Sequence, residues 1–242
     1  MTLKVLGSSS AGNCYLLQGA DGTLVVEAGI AFDKVMAAVD WRLDSIVGCA
    51  VTHRHNDHAK HVADFIKRGV PVLARPDVFA AKGIVNKGFR RDIEPSKGYK
   101  VGGFTVYPVD VDHDVPCVAF LIDHAEMGMT LFLTDTMMFE YRLPRGIRHL
   151  LIEANYSDAI LERNINNGIT AAAMRSRLLH SHMELGTTLG ILAANDLTEV
   201  RDIVLIHLSG ANSDSAEFAE KVREVSGKPT YVAARGLEVE LA

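Results

Sequence analysis

The stretch of sequence that decides the fold reads Thr52-His53-Arg54-His55-Asn56-Asp57-His58. Four of its side chains can ligate a metal ion. Because side chains alternate in extended backbone, His53 and His55 project to the same side and can hold one ion together. If a helix begins near Asp57, this carboxylate and His58 lie in its first turn, where they can hold a second ion. The spacing therefore predicts two metal ions about 3.5–4 Å apart.

Three further side chains of metal-ligand type lie at or just beyond predicted strands. His113 follows one strand, Asp135 ends the strand 131–134, and His207 ends the strand 204–206. Strand ends are where a rigid scaffold presents functional groups to a shared cleft. Each residue taken alone is more often structural, because a strand-end aspartate commonly caps a turn. Together with the motif, they supply the additional ligands that two ions need.

The wider pattern predicts a globular α/β protein. The chain has 242 residues, 48% of them hydrophobic, and no low-complexity segment, which is typical of one domain over 1–242. Strands are predicted at 3–6, 14–18, 23–27, 45–51, 104–109, 117–122, 129–133, 150–153, 203–207 and 231–233. Helices are predicted at 31–39, 58–68, 157–163, 171–180, 185–194 and 215–225. This order suggests two halves of strands followed by helices, approximately 1–125 and 126–242, with two sheets face to face and helices outside.

Charge and targeting signals narrow the classes of function. The net charge of −5 argues against a protein that coats nucleic acid through a generally positive surface. The segment 82–100 is an exception, with six basic and two acidic side chains, and is either a solvated loop or a phosphate-binding rim. No apolar run is long enough to span a bilayer, and the opening residues Met1-Thr2-Leu3-Lys4 lack a basic region before an apolar stretch, so we expect no export signal. Three cysteines without paired spacing favour reduced thiols, so we expect a cytoplasmic protein without a membrane partner.

The order His-x-His-x-Asp-His, then His113, Asp135 and His207, resembles that of the metallo-β-lactamase-fold hydrolases over nearly the whole chain. The stretch 7–15, Gly-Ser-Ser-Ser-Ala-Gly-Asn-Cys-Tyr, and the Leu-Ser after His207 are similar to its YycJ/WalJ-like branch. The resemblance implies a four-layer αββα sandwich. It also implies one metal on His53, His55 and His113, another on Asp57, His58 and His207, and Asp135 bridging them. Glu27 stands where this family usually has aspartate, which puts its supporting role in doubt.

A second cluster in the C-terminal half bears on the reaction. His182 is similar to a histidine that contacts the scissile phosphate in phosphodiesterase branches, including tRNase Z-like enzymes, and Glu153 is expected to hold it. The guanidinium group of arginine has paired N–H donors that can bind two oxygens of one phosphate. We therefore expect substrate contacts from four residues, namely Arg175, Arg177, Asn155 and Ser181. The alternative is that the arginines are ordinary solvated helix residues and His182 is a cap.

These patterns predict a metal-dependent hydrolase of phosphodiesters, with two divalent ions per chain that are either Zn²⁺ or Mn²⁺. Asp57 would orient the attacking water and accept its proton, and His182 would donate to the leaving group. The substrate is DNA or a nucleotide. An exonuclease-like activity ranks slightly above a cyclic nucleotide phosphodiesterase, followed by a thioester or lactone hydrolase and then by a metal-stabilised binding protein. A homodimer is a possible assembly.

Overall fold

The computed structural model describes residues 1–85 and 88–242, apart from the side chains of Met174 and Arg177. Its strands are β1 (Thr2–Gly7), β2 (Cys14–Gly19), β3 (Gly22–Val26), β4 (Ile46–Ala50), β5 (Val72–Ala74), β6 (Arg90–Asp92), β7 (Tyr99–Val101), β8 (Phe104–Val111), β9 (Cys117–His124), β10 (Gly128–Leu133), β11 (Ile147–Glu153), β12 (Asp202–Ile206), β13 (Thr230–Val232) and β14 (Glu238–Glu240). Its α-helices are α1 (Phe32–Ala38), α2 (Asn56–Ala59), α3 (Val62–Lys67), α4 (Pro76–Ala81), α5 (Asp158–Asn166), α6 (Ala173–Ser181), α7 (Leu185–Ala193) and α8 (Ser215–Ser226).

The strands form two sheets of seven. The first has the order β14-β1-β2-β3-β4-β5-β6, and the second has the order β13-β12-β11-β10-β9-β8-β7. Strands β3 to β6 are parallel, as are β10 to β13, whereas the remaining neighbours are antiparallel. Because the carboxyl ends of parallel strands meet at one edge of a sheet, each sheet collects strand-end residues along one edge.

Three hydrophobic cores separate four layers. The first sheet contributes side chains to two of these cores. Side chains alternate along β2, so Tyr15 and Leu17 face the core between the sheets and Leu16 faces the outer core. α1 packs on that outer face through Phe32, whose ring contacts Phe65 of α3 edge-to-face at 4.7 Å. A third core lies between the second sheet and helices α7 and α8. This is the predicted four-layer αββα sandwich.

The structure differs from the sequence-based elements at several places. The predicted helix 58–68 begins earlier, at Asn56, and is divided into α2 and α3, because the backbone N–H of His61 donates to the carbonyl of Ala28 instead of continuing the helix. The prediction misses α4, which Pro76 marks as the first helical residue. It also misses four three-residue strands, too short to show a period, namely β5, β6, β7 and β14.

The sheets do not change over at residue 125. The chain passes from the first sheet to the second between Asp92 and Tyr99, and β14 returns to pair with β1. The proposed halves therefore remain a prediction about domains and do not coincide with the sheets. Within the described ranges, no helix combines the length and the apolar character needed to cross a membrane.

Candidate metal centre and active site

The predicted ligands converge at the edge where the strands of both sheets end. His53 lies beyond β4, His113 beyond β8, Asp135 beyond β10 and His207 directly after β12. The motif turns into α2 at Asn56, so Asp57 and His58 lie in the first turn of that helix, as the sequence predicts. Two separate sheets thus deliver the seven side chains to one cluster.

One side of the cluster contains His53, His55, His113 and Asp135, whose ligand atoms all lie within 4.8 Å of one another. His113 Nε2 is 3.3 Å from His55 Nδ1 and 3.9 Å from Asp135 Oδ2. His53 Nε2 is 3.7 Å from the same Asp135 oxygen. These nitrogens and this oxygen surround one small volume.

The other side of the cluster contains Asp57, His58, Asp135 and His207 within the same limit. Asp57 Oδ2 is 3.3 Å from His58 Nε2 and 3.5 Å from His207 Nε2. His58 Nε2 also lies 3.4 Å from Asp135 Oδ2. Asp135 therefore belongs to both sides, which is the position that a bridging carboxylate requires.

Unpaired buried nitrogen atoms show that these residues fit a cation. Among the described residues, His53 Nε2 and His207 Nε2 are buried without a hydrogen-bond partner and point into the cluster, and leaving such atoms unsatisfied is costly. Burial, followed by the neighbouring His58, lowers the pKa of His53 well below its ordinary value. Its ring is therefore neutral, as a metal ligand must be. The His/Asp cluster is consistent with a divalent metal site.

Glu27 is the buried group behind the motif. It follows β3 and is fully buried, and its Oε1 lies 3.2 Å from His58 Nδ1. The Thr52 hydroxyl donates to the same oxygen at 2.6 Å and is 2.9 Å from His53 Nδ1. The Thr52 hydroxyl therefore accepts a hydrogen bond from His53 and donates one to Glu27. Despite replacing the usual aspartate, Glu27 contacts one predicted ligand directly and is linked to another through Thr52.

Glu153 has the corresponding place at the end of β11. Its Oε1 accepts from His182 Nδ1 at 2.8 Å and from His207 Nδ1 at 3.1 Å. Burial acts to raise the pKa of Glu153, but the charges of His182 and its hydrogen bonds outweigh burial and lower it. Burial also opposes protonation of His182, yet Glu153 raises its pKa. Both imidazoles thus have Nδ1 bound by Glu153, which leaves each Nε2 available.

Three of the six non-glycine residues with positive φ in the described part of the chain lie at these strand ends. Glu27, Asp135 and His207 have φ values of 70°, 50° and 56°, in the left-handed region that residues other than glycine rarely adopt. Each such conformation costs about 1–3 kcal/mol and persists only where the surrounding structure fixes it. Such strain supports a functional role for this edge of the sheets.

The N-terminal stretch 7–15 packs against the motif. Buried Asn13 places its Nδ2 3.0 Å from His58 Nε2 and donates to the carbonyl of Asp57 at 3.4 Å. Ser8 Oγ accepts from the backbone N–H of His207 at 2.9 Å. A Cβ at Gly29 would collide with the carbonyl oxygen of Asp57, so only glycine allows this approach. The sequence indicated this stretch only through its resemblance to a branch of the family.

The predicted substrate contacts have other partners. Asn155 Nδ2 donates to the carbonyl of His207 at 2.6 Å, and the carbonyl of Ser181 accepts from His113 Nδ1 at 3.0 Å, so both contact histidines predicted as ligands. Arg175 is exposed and pairs with Glu162 at 3.1 Å, and the structure does not bring it into the cluster. The side chain of Arg177 lies outside the described residues. Their roles in substrate binding remain predictions.

Asp114 is a carboxylate beside the cluster that the sequence did not single out. Its Oδ1 lies 3.0 Å from His113 Nε2 and 3.4 Å from His55 Nε2. Its side chain is 43% exposed, whereas that of Asp135 is 3% exposed. The sequence could have indicated Asp114 only through its position directly after His113, and an aspartate in such a loop is more often a turn residue.

Similarity to known families agrees with this geometry. The sequence profile of the Metallo-beta-lactamase superfamily matches residues 9–126, which include the motif and His113. The chain is 25% identical over 227 residues to Exodeoxyribonuclease WalJ of Streptococcus pneumoniae serotype 2, covering 87% of this chain and 82% of that protein. It is 24% identical over 225 residues to Exodeoxyribonuclease YycJ of Bacillus anthracis, covering 87% and 83%.

Solved structures show the same fold at low identity. The metallo-beta-lactamase fold protein YhfI from Bacillus subtilis superposes with a TM-score of 0.76 at 17% identity, covering 98% of each chain. A diphosphatase of the PhnP family superposes with a TM-score of 0.69 at 16% identity, covering 100% of this chain and 98% of that one. Fold, sequence profile and curated relatives thus agree that this chain is similar to the metal-dependent hydrolases of the metallo-β-lactamase superfamily, and to the exodeoxyribonucleases of the YycJ/WalJ-like branch.

Proposed function

We propose that this hydrolase cleaves phosphodiesters with two divalent metal ions and acts on nucleic acid, as an exonuclease does. The curated relatives bear the name exodeoxyribonuclease. Their sequence identity to this chain is only 24–25%, so the proposed substrate is argued from the geometry of the site as well as from these names.

The seven clustered residues are the proposed ligands. His53, His55 and His113 would hold one ion, and Asp57, His58 and His207 the other, with Asp135 shared. Zinc and manganese both suit this mixture of imidazoles and carboxylates. When bound, such a pair of ions neutralises phosphoryl charge and acidifies water.

The observation that carries the proposal is the position of His182. Its ring centre lies 5.2 Å from that of His207 and 6.1 Å from that of His113, although it is in neither proposed ligand triad. Because Glu153 accepts from Nδ1, the Nε2 atom is left to face a substrate. An imidazole so placed can donate a proton to the leaving oxygen of a phosphodiester.

Asp57 is the group proposed to orient the attacking water. Its side chain is 21% exposed, whereas the side chains of His58, Asp135 and His207 are at most 3% exposed. Oδ2 faces the cluster between His58 and His207. A carboxylate at the open side can accept a hydrogen bond from water and take its proton.

The test compares His182→Ala with the wild type on two substrates, an oligodeoxynucleotide and bis(p-nitrophenyl) phosphate. We expect turnover of the oligonucleotide to fall by about 10²–10⁴-fold. The loss should be smaller with bis(p-nitrophenyl) phosphate, because p-nitrophenolate leaves as a stabilised anion without a proton. Metal content should not change.

His180→Ala is the matched control. His180 is exposed on α6, the helix that ends just before His182, and its Nδ1 is bound to the carbonyl of Ser176. Unchanged oligonucleotide turnover in His182→Ala, or an equal loss on both substrates, would contradict the role of His182. A wild-type enzyme that prefers cyclic nucleotides, thioesters or lactones would contradict the nucleic-acid substrate.

A further inference from the structure

Helix α4 places Lys82 at the edge of the cluster of proposed metal ligands. Val78 and Phe79 anchor this helix, since both are fully buried in the core outside the first sheet. The backbone N–H of Lys82 closes the helix by donating to the carbonyls of the same two residues, at 3.2 Å each. A packed core therefore fixes the backbone of Lys82.

The side chain of Lys82 ends beside the motif. Its Nζ donates to Asn56 Oδ1 at 2.8 Å, and Asn56 immediately precedes Asp57 at the start of α2. Partial burial lowers the pKa of Lys82 from its ordinary value, and the carboxylate of Asp57 acts in the opposite direction. The ammonium group is thus within electrostatic reach of the cluster.

The partner of Lys82 differs from those of two other cations in the basic segment 82–100, Arg90 and Lys97. Arg90 forms an ion pair with Asp92, and Lys97 forms one with Glu94. Lys82 bonds a neutral amide, so this contact does not cancel its charge and uses one of the three donors of the ammonium. An anion can therefore bind to the same ammonium group.

The surface next to His113 is negatively charged, in contrast to the surroundings of Lys82. Asp112 and Asp114 flank this residue and are exposed, and Glu140 lines the same cavity as Asp112. These carboxylates repel a phosphate. A polyanionic substrate is thereby directed away from His113 and towards the side of Asp57 and Lys82.

We infer that Lys82, positioned by Asn56, is a phosphate-binding residue that contacts a neighbouring phosphate of a polynucleotide chain while the scissile phosphate occupies the cluster. This inference rests on the proposed function and deepens it. A polynucleotide carries a second phosphate that can reach Lys82, whereas an isolated diester has none. Lys82 therefore favours a nucleic-acid chain over a substrate with a single phosphodiester.

The test uses Lys82→Met with the same two substrates. We expect KM for an oligodeoxynucleotide to rise about tenfold, because a charge-assisted contact is lost, with kcat almost unchanged. The dependence of log binding constant on log salt should become shallower by about 0.7–0.9. Kinetics with bis(p-nitrophenyl) phosphate should not change, and Lys82→Arg should keep most of the affinity.

Lys67→Met is the matched control, since Lys67 is exposed at the end of α3. Unchanged oligonucleotide KM and salt dependence in Lys82→Met would overturn the inference. An equal loss on both substrates would also overturn it, because Lys82 would then act through the cluster. Anisotropy of a labelled oligonucleotide provides a test without turnover. Binding that depends on Lys82, in a protein that hydrolyses neither substrate, would support Lys82 and refute the proposed function.

Discussion

Two buried glutamates, one in each sheet, hold the histidines of this site, and they do so differently. Glu27 follows β3 in the first sheet, and Glu153 ends β11 in the second, and both are fully buried. Glu27 is close to His58 and is linked to His53 through Thr52, so its partners are proposed ligands. Glu153 binds His207, a proposed ligand, and His182, which lies outside the two triads.

The electrostatic states of the two glutamates differ as well. Burial raises the pKa of Glu27, and its interactions with His58 do not overcome this effect. Burial also acts to raise the pKa of Glu153, but His182 and His207 outweigh it and lower the pKa. Glu153 is therefore the stronger anion. Under the proposed function, this difference predicts that the first sheet supports metal binding alone, whereas the second sheet links metal binding to the chemistry of the leaving group.

The largest expected effect is that of Glu153→Gln. An amide places a donor among groups that already donate, because the backbone N–H of Met183 and the Nδ1 atoms of His182 and His207 all point at the carboxylate. Metal affinity should fall by about 10–100-fold. Oligonucleotide turnover at saturating metal should fall by a further 10²–10⁴-fold, on the order expected for loss of an acid. Metal titration followed by steady-state kinetics separates the two losses.

Full recovery of turnover at saturating metal would show that Glu153 supports only the metal, as Glu27 does. The proposed contrast between the two glutamates would then be lost. A double variant with His182→Ala provides a second check. If Glu153 acts on the leaving group through His182, the two substitutions together should lower turnover less than the product of their separate effects.

A smaller effect is expected for Glu27→Gln. Loss of this carboxylate weakens the orientation of His58 and His53, so metal affinity should fall by about 10–100-fold. Turnover should return to near the wild-type value at saturating metal, because no group assigned to the leaving oxygen is bound by Glu27. Glu224→Gln, an exposed change on α8, is the control. Turnover that stays low when metal is saturating would contradict this division of roles.

Much of the fold could be predicted from the sequence because its signals are local. Continuous apolar runs such as 45–51 predicted buried strands, and the structure contains β4 at Ile46–Ala50. The pairing of short segments could not be predicted, since β14 joins β1 only through contacts between the ends of the chain. The division between α2 and α3 depends on a backbone bond from His61 to Ala28, which no side-chain pattern encodes.

The site divides in the same way. The motif and the strand-end residues His113, Asp135 and His207 could be found because ligand types at strand ends form a recognisable order. Asn13 and Thr52 could not be assigned roles from the sequence, because their contacts with His58 and His53 depend on tertiary packing and ring orientation. Arg175 shows the converse case, in which a residue of suitable chemistry pairs with Glu162 on the surface.

The smallest expected effect, that of Thr52→Val, tests the link between Glu27 and the first side of the cluster. Valine keeps the shape of threonine but removes the hydroxyl that accepts from His53 Nδ1 and donates to Glu27. Losing such a hydrogen bond costs about 1 kcal/mol, so affinity for one of the two ions should fall about fivefold. Calorimetric titration should show one weakened step and one unchanged step. Thr105→Val, at the far end of β8, should change neither. Equal weakening of both steps would mean that Thr52 supports the whole cluster, and the two histidines held by Glu27 would then have to be treated as one unit.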